Sequence, residues 1–339
     1  MKIGNFDTDK KVLIIAEIGN NHEGDFNVAC EMIEVVAEAG ADAVKFQTFK
    51  TEHYVSKENQ ERFSLLQSFE LTFNEFERLS VKAKELGLLF LSTPFDLFSA
   101  DALSHFVDGM KISSGDNNFY PLIQKVSEFN LPTILSLGLL GIDDIKFSLS
   151  TFTNKWETDF LKENLAILHC VCSYPVPYKE ANLGALLQLK REFDCTIGYS
   201  DHVMGNTASL LSVALGARIV EKHFTLDNNY SDFRDHQLSA DFEQLKTLVN
   251  DIRYAETLIG NHSKQTEQCE IPQTNAVRRS VVLAKNMQKG DRVTLQDITW
   301  VRPGGGIPPG HENSIIGKIL KEDLSAGIQI KQEHLKSTS

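Results

Sequence analysis

Long apolar runs and cysteine are both scarce in this sequence. None of its apolar stretches approaches the roughly 20 residues needed to cross a bilayer, and residues 1–7 lack the basic and then apolar order of a secretion signal. The five cysteines are odd in number and do not have the spacing of a metal knuckle. A small and odd number of cysteines without metal-binding spacing is typical of a protein in a reducing compartment. We therefore predict a cytoplasmic protein with no membrane partner.

Positive charge is also in short supply. The chain has 34 lysines and arginines against 46 aspartates and glutamates, which gives a net charge of -12. Affinity for nucleic acid depends mainly on neutralising phosphates, so this balance argues against a nucleic-acid partner. An anionic substrate would have to be held by a few local cations.

A pattern of apolar strand, polar turn and amphipathic helix repeats eight times between residues 12 and 258. Repeated strand–helix alternation over this length predicts a closed (β/α)8 barrel of the TIM type. A solenoid is disfavoured because the units share no self-similar motif. The predicted strands cover residues 12–17, 43–47, 88–92, 110–113, 133–136, 165–170, 196–200 and 219–223.

The 339 residues suggest one large domain followed by a small one. We assign residues 1–260 to the barrel. Residues 261–277 are polar, lose the periodicity and are predicted to be a linker. Residues 278–339 contain short strands and turns and are predicted to form a second domain that leans on the barrel or on another subunit.

Two lysines lie on apolar strands of the predicted barrel. Lys45 and Lys111 are each followed by hydroxyl or amide side chains, and Gln47 shares a strand face with Lys45. An isolated lysine would be interpreted as a surface residue with a buried stem. Two of them, near hydroxyls and glycine N–H groups at the carboxyl ends of strands, predict a phosphate or carboxylate site.

Two histidines end the last two predicted strands. His202 follows one strand and His223 ends the next, so both imidazoles would face the same mouth of the barrel. Either one alone would be interpreted as a hydrogen-bonded residue at a strand end. Together they predict a divalent metal site with open positions, suited to Mn²⁺ or Mg²⁺, with Zn²⁺ as a further option.

The motifs at these strand ends resemble those of the sialic acid synthase family, and the carboxyl segment resembles that family's antifreeze-like (SAF) domain. The resemblance covers nearly the whole chain in order. It rests on Ile15-Ala16-Glu17-Ile18-Gly19-Asn20-Asn21-His22-Glu23-Gly24, Lys45-Phe46-Gln47-Thr48, Ser92-Thr93-Pro94-Phe95, Lys111-Ile112-Ser113-Ser114-Gly115, Ser200-Asp201-His202, Glu221-Lys222-His223-Phe224, Arg279-Ser280 and Arg302-Pro303-Gly304-Gly305-Gly306-Ile307.

The resemblance implies an enzyme that condenses phosphoenolpyruvate with an N-acylated amino sugar to give a nonulosonic acid and phosphate. It implies that His202 and His223 bind the metal, and that Glu17, together with Asp116, supplies catalytic carboxylates. Gln47, Tyr174 and Asp235 would meet the sugar. Phosphoenolpyruvate would be held by Lys45, Thr93, Lys111, Ser114, Ser136 and Ser200.

Three departures from the family pattern fall on the predicted sugar side. Cys172 stands where neuraminate-forming members usually have Asn, Asp116 where many have Glu, and Phe233-Arg234 where Gly-Pro is common. We expect N-acetylmannosamine as the acceptor, with a diacetamido-trideoxyhexose, the precursor of legionaminic acid, as the alternative and the pseudaminate branch less favoured. A non-catalytic carbohydrate- or ice-binding protein is the alternative from a different class.

The resemblance further implies a two-fold homodimer in which each antifreeze-like domain closes the active site of its partner. In that arrangement Arg302 would contact the sugar from the other subunit. The proline and three glycines that follow it make a turn able to bring backbone and guanidinium close to a ligand.

Overall fold

The computed structural model describes residues 1–261 and 263–336 and divides the chain into two units, Met1–Gly260 and Asn261–Ser339. The first unit opens with a hairpin of β1 (Lys2–Ile3) and β2 (Phe6–Asp7). Eight strands follow: β3 (Leu13–Gly19), β4 (Ala43–Thr48), β5 (Leu89–Pro94), β6 (Gly109–Ile112), β7 (Thr133–Ser136), β8 (Leu165–Cys170), β9 (Thr196–Asp201) and β10 (Ile219–His223). They are parallel and close into a barrel in sequence order, with β10 paired to β3. The predicted barrel fold is confirmed.

Helices follow the strands around the outside of the barrel. They are α1 (Phe26–Ala39), α2 (Thr51–Tyr54), α3 (Gln60–Phe69), α4 (Phe73–Glu85), α5 (Leu97–Leu103), α6 (Tyr120–Glu128), α7 (Ile142–Thr153), α8 (Thr158–Asn164), α9 (Ala185–Glu192), α10 (Thr207–Ala214), α11 (Arg234–Leu238) and α12 (Phe242–Ile259). None of the helices in the described part of the chain is long and apolar enough to cross a membrane.

Local sequence sets the ends of these helices. The Asp25 side chain accepts hydrogen bonds from two backbone N–H groups at the start of α1, and Gly40 ends that helix at a φ of 84°. A reciprocal capping box between Thr72 and Glu75 begins α4. The apolar stripe of α1, which includes Met32, Ile33 and Val36, packs in the buried layer between strands and helices.

Alternation along each strand separates two apolar layers. In β3, Leu13 and Ile15 belong to the cluster inside the barrel, whereas Ile14 and Ala16 belong to the larger layer between strands and helices. The inner cluster fills only the amino-terminal half of the barrel, where Met1 and Ile3 of the hairpin also contribute. Continuing the same alternation brings polar side chains to the inner face at the carboxyl ends. The alternation along the strands therefore places the candidate site at the carboxyl end of the barrel.

The second unit has its own apolar core and an antiparallel pair of strands. A short 3-10 helix (Ile271–Gln273) and α13 (Thr274–Val277) occupy the end of the segment that we predicted as a linker. The pair comprises β11 (Ser280–Leu283) and β12 (Ile298–Val301). Its core is formed by Val281, Leu283, Met287, Val293, Ile298, Ile315, Leu320, Ile330 and Leu335.

Candidate active site

A cavity of about 220 Å³ lies at the carboxyl ends of the barrel strands. Its walls are polar and come from nearly every strand, which is the usual arrangement for an active site in this architecture. Twelve of the predicted site residues line it: Glu17, Lys45, Gln47, Thr93, Lys111, Ser114, Ser136, Tyr174, Ser200, His202, His223 and Asp235.

Two lysines lie on the floor of the cavity, and both are almost fully buried. Lys45 Nζ donates to Thr93 Oγ1 at 3.1 Å, and Lys111 Nζ donates to Ser136 Oγ at 2.7 Å. Burial lowers the pKa of Lys111, against the effect of the Glu221 carboxylate. Two cations backed by hydroxyls can bind a multiply charged anion, and its charge would favour the protonated form of both lysines.

Two carboxylates separate these cations. Glu17 Oε2 lies 2.7 Å from Lys45 Nζ, while Glu221 Oε1 lies 3.8 Å from Lys45 Nζ and 3.9 Å from Lys111 Nζ. Although burial opposes it, the charges of Lys111 and Lys45 lower the pKa of Glu221 to about 2. Burial raises the pKa of Glu17 instead. The site therefore contains one carboxylate that stays ionised and one whose ionised form burial disfavours.

Gln47 and Asn20 hold Glu17 in place. The Gln47 side-chain amide donates to Glu17 Oε1 at 3.0 Å, and its carbonyl oxygen accepts from Asn20 Nδ2 at 2.9 Å. This chain fixes the orientation of the Gln47 amide and leaves Glu17 with both oxygens aimed at defined partners. Such support preserves the position of a catalytic carboxylate.

The imidazoles of His202 and His223 meet in the cavity with ring centres 5.3 Å apart. His202 Nδ1 lies 2.9 Å from the Val171 carbonyl oxygen, so this nitrogen is the donor and Nε2 keeps a lone pair. Burial lowers the pKa of His202 to about 4 and also lowers that of His223. Both rings are thus neutral at pH 7, which is the form that binds a metal ion.

A divalent metal fits this pair of residues. His223 Nδ1 is buried and has no hydrogen-bond partner among the described residues, so it is available for coordination. Within residues 1–261 and 263–336, no three His, Cys, Asp or Glu side chains are grouped as a complete metal site. Two imidazoles leave the remaining positions to substrate and water, as in a catalytic rather than a structural site.

An aromatic and charged cluster lines the other side of the cavity. The guanidinium of Arg234 lies 4.7 Å from the ring centre of Tyr174, and Arg234 Nε lies 3.4 Å from Asp235 Oδ1. The Tyr174 ring in turn lies 4.2 Å from the His202 ring, centre to centre. This cluster offers stacking and hydrogen-bonding groups close to the imidazoles.

Asp116 and Arg302 are placed differently from the other predicted residues. Asp116 lies beside the cavity, where its Oδ2 accepts from Ser113 Oγ at 2.7 Å, and burial raises its pKa. Arg302 belongs to the second unit. Its side chain is exposed, and its Nε donates to the Val277 carbonyl oxygen at 2.7 Å.

The cavity also includes residues that we did not assign to it. Glu221 alternates with His223 on β10, which is a recognisable signal. Tyr54 of α2 reaches the cavity by stacking on Phe95, with ring centres 4.5 Å apart, and the sequence pattern contains no sign of that contact. The remaining members are Phe95 itself, Ser113, Gly115, Cys170 and Arg234.

A (β/α)8 barrel that gathers buried lysines, carboxylates and imidazoles at one mouth has the construction of a barrel enzyme. Residues 32–264 match the NeuB family and residues 278–336 match the SAF domain. The chain therefore belongs to the NeuB family, which confirms the resemblance to sialic acid synthases.

Several characterised relatives have names consistent with this assignment. The chain is 37% identical to the N,N'-diacetyllegionaminic acid synthase of Legionella pneumophila, over 96% of this chain and 94% of that protein. It is 32% identical to the human N-acetylneuraminate-9-phosphate synthase, over 90% of this chain and 87% of that protein. The crystal structure of the N-acetylneuraminic acid synthetase of Leptospira borgpetersenii superposes with a TM-score of 0.73, at 35% identity, over 78% of this chain and 90% of that one.

Proposed function

We propose that this protein is a nonulosonic acid synthase that condenses phosphoenolpyruvate with N-acetylmannosamine, giving N-acetylneuraminic acid and phosphate. The observation that carries the proposal is the pair of buried lysines beside two neutral imidazoles in one cavity. Phosphoenolpyruvate is a trianion when fully ionised, and the sugar presents an aldehyde. The site offers cations that can bind phosphoenolpyruvate and polar groups that can bind the sugar.

The floor of the cavity binds phosphoenolpyruvate in this scheme. Lys45 and Lys111 neutralise its phosphate and carboxylate, and the hydroxyls of Thr93, Ser114 and Ser136 fix its orientation. Glu221 stays ionised between the lysines and reduces the repulsion between their charges. A charge-assisted contact of this kind contributes about 1.5–3 kcal/mol.

The reaction forms one carbon–carbon bond and one carbon–oxygen bond to water, and it breaks the carbon–oxygen bond to phosphate. C3 of phosphoenolpyruvate attacks the sugar aldehyde carbon, water adds at C2, and phosphate leaves. Glu17 is proposed to take the proton of the adding water, because it is a carboxylate in the cavity and burial raises its pKa, which makes it a better proton acceptor. A divalent metal such as Mn²⁺ or Mg²⁺, held by His202 and His223, would polarise the aldehyde oxygen.

The sugar would lie against the cluster of Tyr174, Arg234 and Asp235. A diacetamido-trideoxyhexose is the second candidate acceptor. It is favoured by the 37% identity to two N,N'-diacetyllegionaminic acid synthases, those of Legionella pneumophila and Campylobacter jejuni, over 96% and 95% of this chain. Both sugars carry an N-acyl group and an aldehyde, so both fit the same chemistry.

We further propose that the active assembly is a homodimer in which Arg302 of one chain serves the barrel of the other. The exposed guanidinium, on a loop that continues through Pro303 and three glycines, supports this role. Such an arginine binds carbonyl and hydroxyl oxygens with a planar fork that lysine does not reproduce.

The test of the activity is a product analysis. The protein is incubated with phosphoenolpyruvate, Mn²⁺ and an equimolar pool of N-acetylmannosamine and the diacetamido-trideoxyhexose, and the products are identified by mass spectrometry. N-acetylneuraminic acid as the main product supports the proposal, and N,N'-diacetyllegionaminic acid supports the second candidate. No phosphate release with either sugar would exclude both.

A further inference from the structure

Glu23 is not part of the cavity wall, but it contacts the chain segment that supplies part of that wall. Residues 231–236 follow β10 and include Arg234 and Asp235, the two wall residues of this segment. Glu23 belongs to the loop between β3 and α1. Its carboxylate hydrogen-bonds to the segment at two places, 208 and 213 positions away along the chain. These contacts join two loops at the carboxyl end of the barrel.

The two contacts of Glu23 lie on either side of the wall residues. The Ser231 hydroxyl donates to Glu23 Oε1, and the same Ser231 oxygen accepts from the Phe233 N–H at 3.0 Å. His236 Nε2 lies 3.1 Å from Glu23 Oε1, and Nε2 is the donor because a carboxylate oxygen only accepts. One oxygen of Glu23 thus holds the backbone directly before the wall residues and the imidazole directly after them.

The His236 imidazole is fully buried and has a partner at each nitrogen. Its Nδ1 lies 2.7 Å from Thr225 Oγ1, on the side opposite the Glu23 contact. The Tyr230 ring stacks on the imidazole with ring centres 5.0 Å apart, and the Phe233 ring meets it edge-on at 6.1 Å. Turning the imidazole would leave buried polar atoms without partners, which is costly. The ring, and with it the wall residue before it, therefore keeps one position while Glu23 is present.

The backbone of Glu23 is a second, independent sign of a role at this position. Its φ is 47°, in the left-handed region that residues with a Cβ seldom adopt. Strained conformations of this kind concentrate at functional sites. The next residue, Gly24, is pressed against the end of α3, since a Cβ there would lie 2.1 Å from the Ser68 carbonyl oxygen. The loop thus gives the Glu23 side chain a fixed base.

We propose that Glu23 is a positioning residue for the sugar side of the cavity. It holds residues 231–236 so that the Arg234 guanidinium stays over the Tyr174 ring and Asp235 stays in the cavity wall. The inference rests on the proposed function, in which the sugar lies against these three residues. Loss of Glu23 should loosen groups that orient the sugar, and small displacements of such groups are costly to turnover. Glu23 makes no contact with the two lysines of the floor, so binding of phosphoenolpyruvate should be preserved.

The experiment compares Glu23→Gly with Glu23→Gln in the full-length protein. Glycine removes the carboxylate and also relieves the strain at the positive φ, so it tests the contacts without straining the loop further. Glutamine keeps an oxygen at the position of Oε1, which accepts both hydrogen bonds, and should preserve them. Turnover is measured with phosphoenolpyruvate, Mn²⁺ and either N-acetylmannosamine or the diacetamido-trideoxyhexose, whichever the parent uses.

We expect Glu23→Gly to lower kcat/KM for the sugar at least about tenfold and to change the KM for phosphoenolpyruvate less than about twofold. Glu23→Gln should behave like the parent with both substrates. A second measurement does not depend on turnover. Amide hydrogen exchange of peptides covering residues 231–239 reports how firmly the segment is held. It should be faster in Glu23→Gly than in the parent and unchanged in Glu23→Gln.

Asp108→Ala is the matched control. Asp108 also links two elements through its carboxylate, whose Oδ2 accepts from the Phe90 N–H at 2.8 Å, but it lies at the amino end of the barrel strands. This variant should keep the parent's sugar kinetics and the parent's exchange in residues 231–239.

Three results would overturn the inference: sugar kinetics like the parent's in Glu23→Gly, an equal loss for both substrates, or unchanged exchange in residues 231–239. Failure of the proposed function appears separately, as no phosphate release from the parent with either sugar. In that case the exchange measurement still decides whether Glu23 holds the segment.

Discussion

Glu17 and Lys45 face each other across the neighbouring strands β3 and β4, and their side chains form an ion pair of 2.7 Å. Both side chains are almost fully buried. An unpaired buried charge is energetically costly. The Glu17 and Lys45 side chains therefore hold each other in position until an anion enters the cavity. We expect a bound anion to attract the Lys45 ammonium and so to weaken its pairing with Glu17.

Replacing either floor lysine should weaken binding of phosphoenolpyruvate. We expect Lys45→Ala and Lys111→Ala to raise the KM for phosphoenolpyruvate about 10- to 150-fold, which corresponds to the loss of one charge-assisted contact. The KM for the sugar should change much less in steady-state assays that vary each substrate. Lys50→Ala is the control, because Lys50 pairs with Glu70 at 3.2 Å, outside the cavity wall. If only the KM for the sugar changed, the anion site would not be at these lysines.

Replacing either imidazole should abolish metal-dependent turnover. His202→Ala and His223→Ala each remove one of two neutral ligands, so we expect metal content and activity to fall together. The measurement is turnover and bound metal after chelation and restoration of Mn²⁺. His169→Ala is the control, since His169 lies on β8 outside the cavity wall and its Nε2 is 2.9 Å from the Ala181 carbonyl oxygen. Full activity in His202→Ala or His223→Ala would show that the replaced histidine does not bind a metal needed for turnover.

The stability of the fold should fall in mild acid, and His22 should account for part of the loss. Burial lowers the pKa of His22 to about 4 from its usual 6.5. Between these values the unfolded chain binds more protons, so the free energy of unfolding decreases as pH falls through this window. The contribution of one such group is about 3 kcal/mol over the whole window.

Urea unfolding at pH 7 and pH 4.5 measures this contribution. His22→Asn, whose Oδ1 is placed like His22 Nδ1 and can accept from the Gly24 N–H, should lose about 2 kcal/mol less than the parent between the two pH values. His53→Gln, at an exposed position, serves as the control and should lose as much as the parent. Equal losses in all three proteins would show that His22 does not titrate in this range.

Mixing two inactive variants should restore activity if Arg302 serves the partner subunit. A mixed dimer of Arg302→Ala and His202→Ala chains has one site with an intact barrel and an intact arginine. With random exchange of subunits, turnover should reach about a quarter of the parent's. His202→Ala mixed with His223→Ala should restore none, because both changes damage barrels. If subunit exchange is demonstrated and turnover does not recover, Arg302 does not act in the partner's site.

Much of this architecture could be predicted because each strand carries its own signal. Lys45 and Gln47 are two positions apart on one strand, as are Glu221 and His223, so each pair shares a strand face. This pattern is local in the sequence, and both pairs line the cavity. Glu221 was nevertheless not assigned to the site, since its position between Lys45 and Lys111 depends on the register across several strands. Local pattern contains no information about that register.

Two other differences have physical reasons of the same kind. Asp116 lies beside the cavity because the turn after β6 pairs its carboxylate with Ser113, and its catalytic role stays a prediction. Tyr54 was missed because it belongs to a four-residue helix whose contact with Phe95 is set by tertiary packing. Loops and short helices lack the periodicity from which side-chain direction is predicted.

The pairing of β10 with β3 joins the last strand of the barrel to the first. His223 lies directly opposite Glu17 across that junction, in sequence more than two hundred positions away. During synthesis, Glu17 leaves the ribosome long before Glu221 and His223 exist. An incomplete chain that ends before β10 therefore lacks an imidazole and the ionised carboxylate as well as its ring closure.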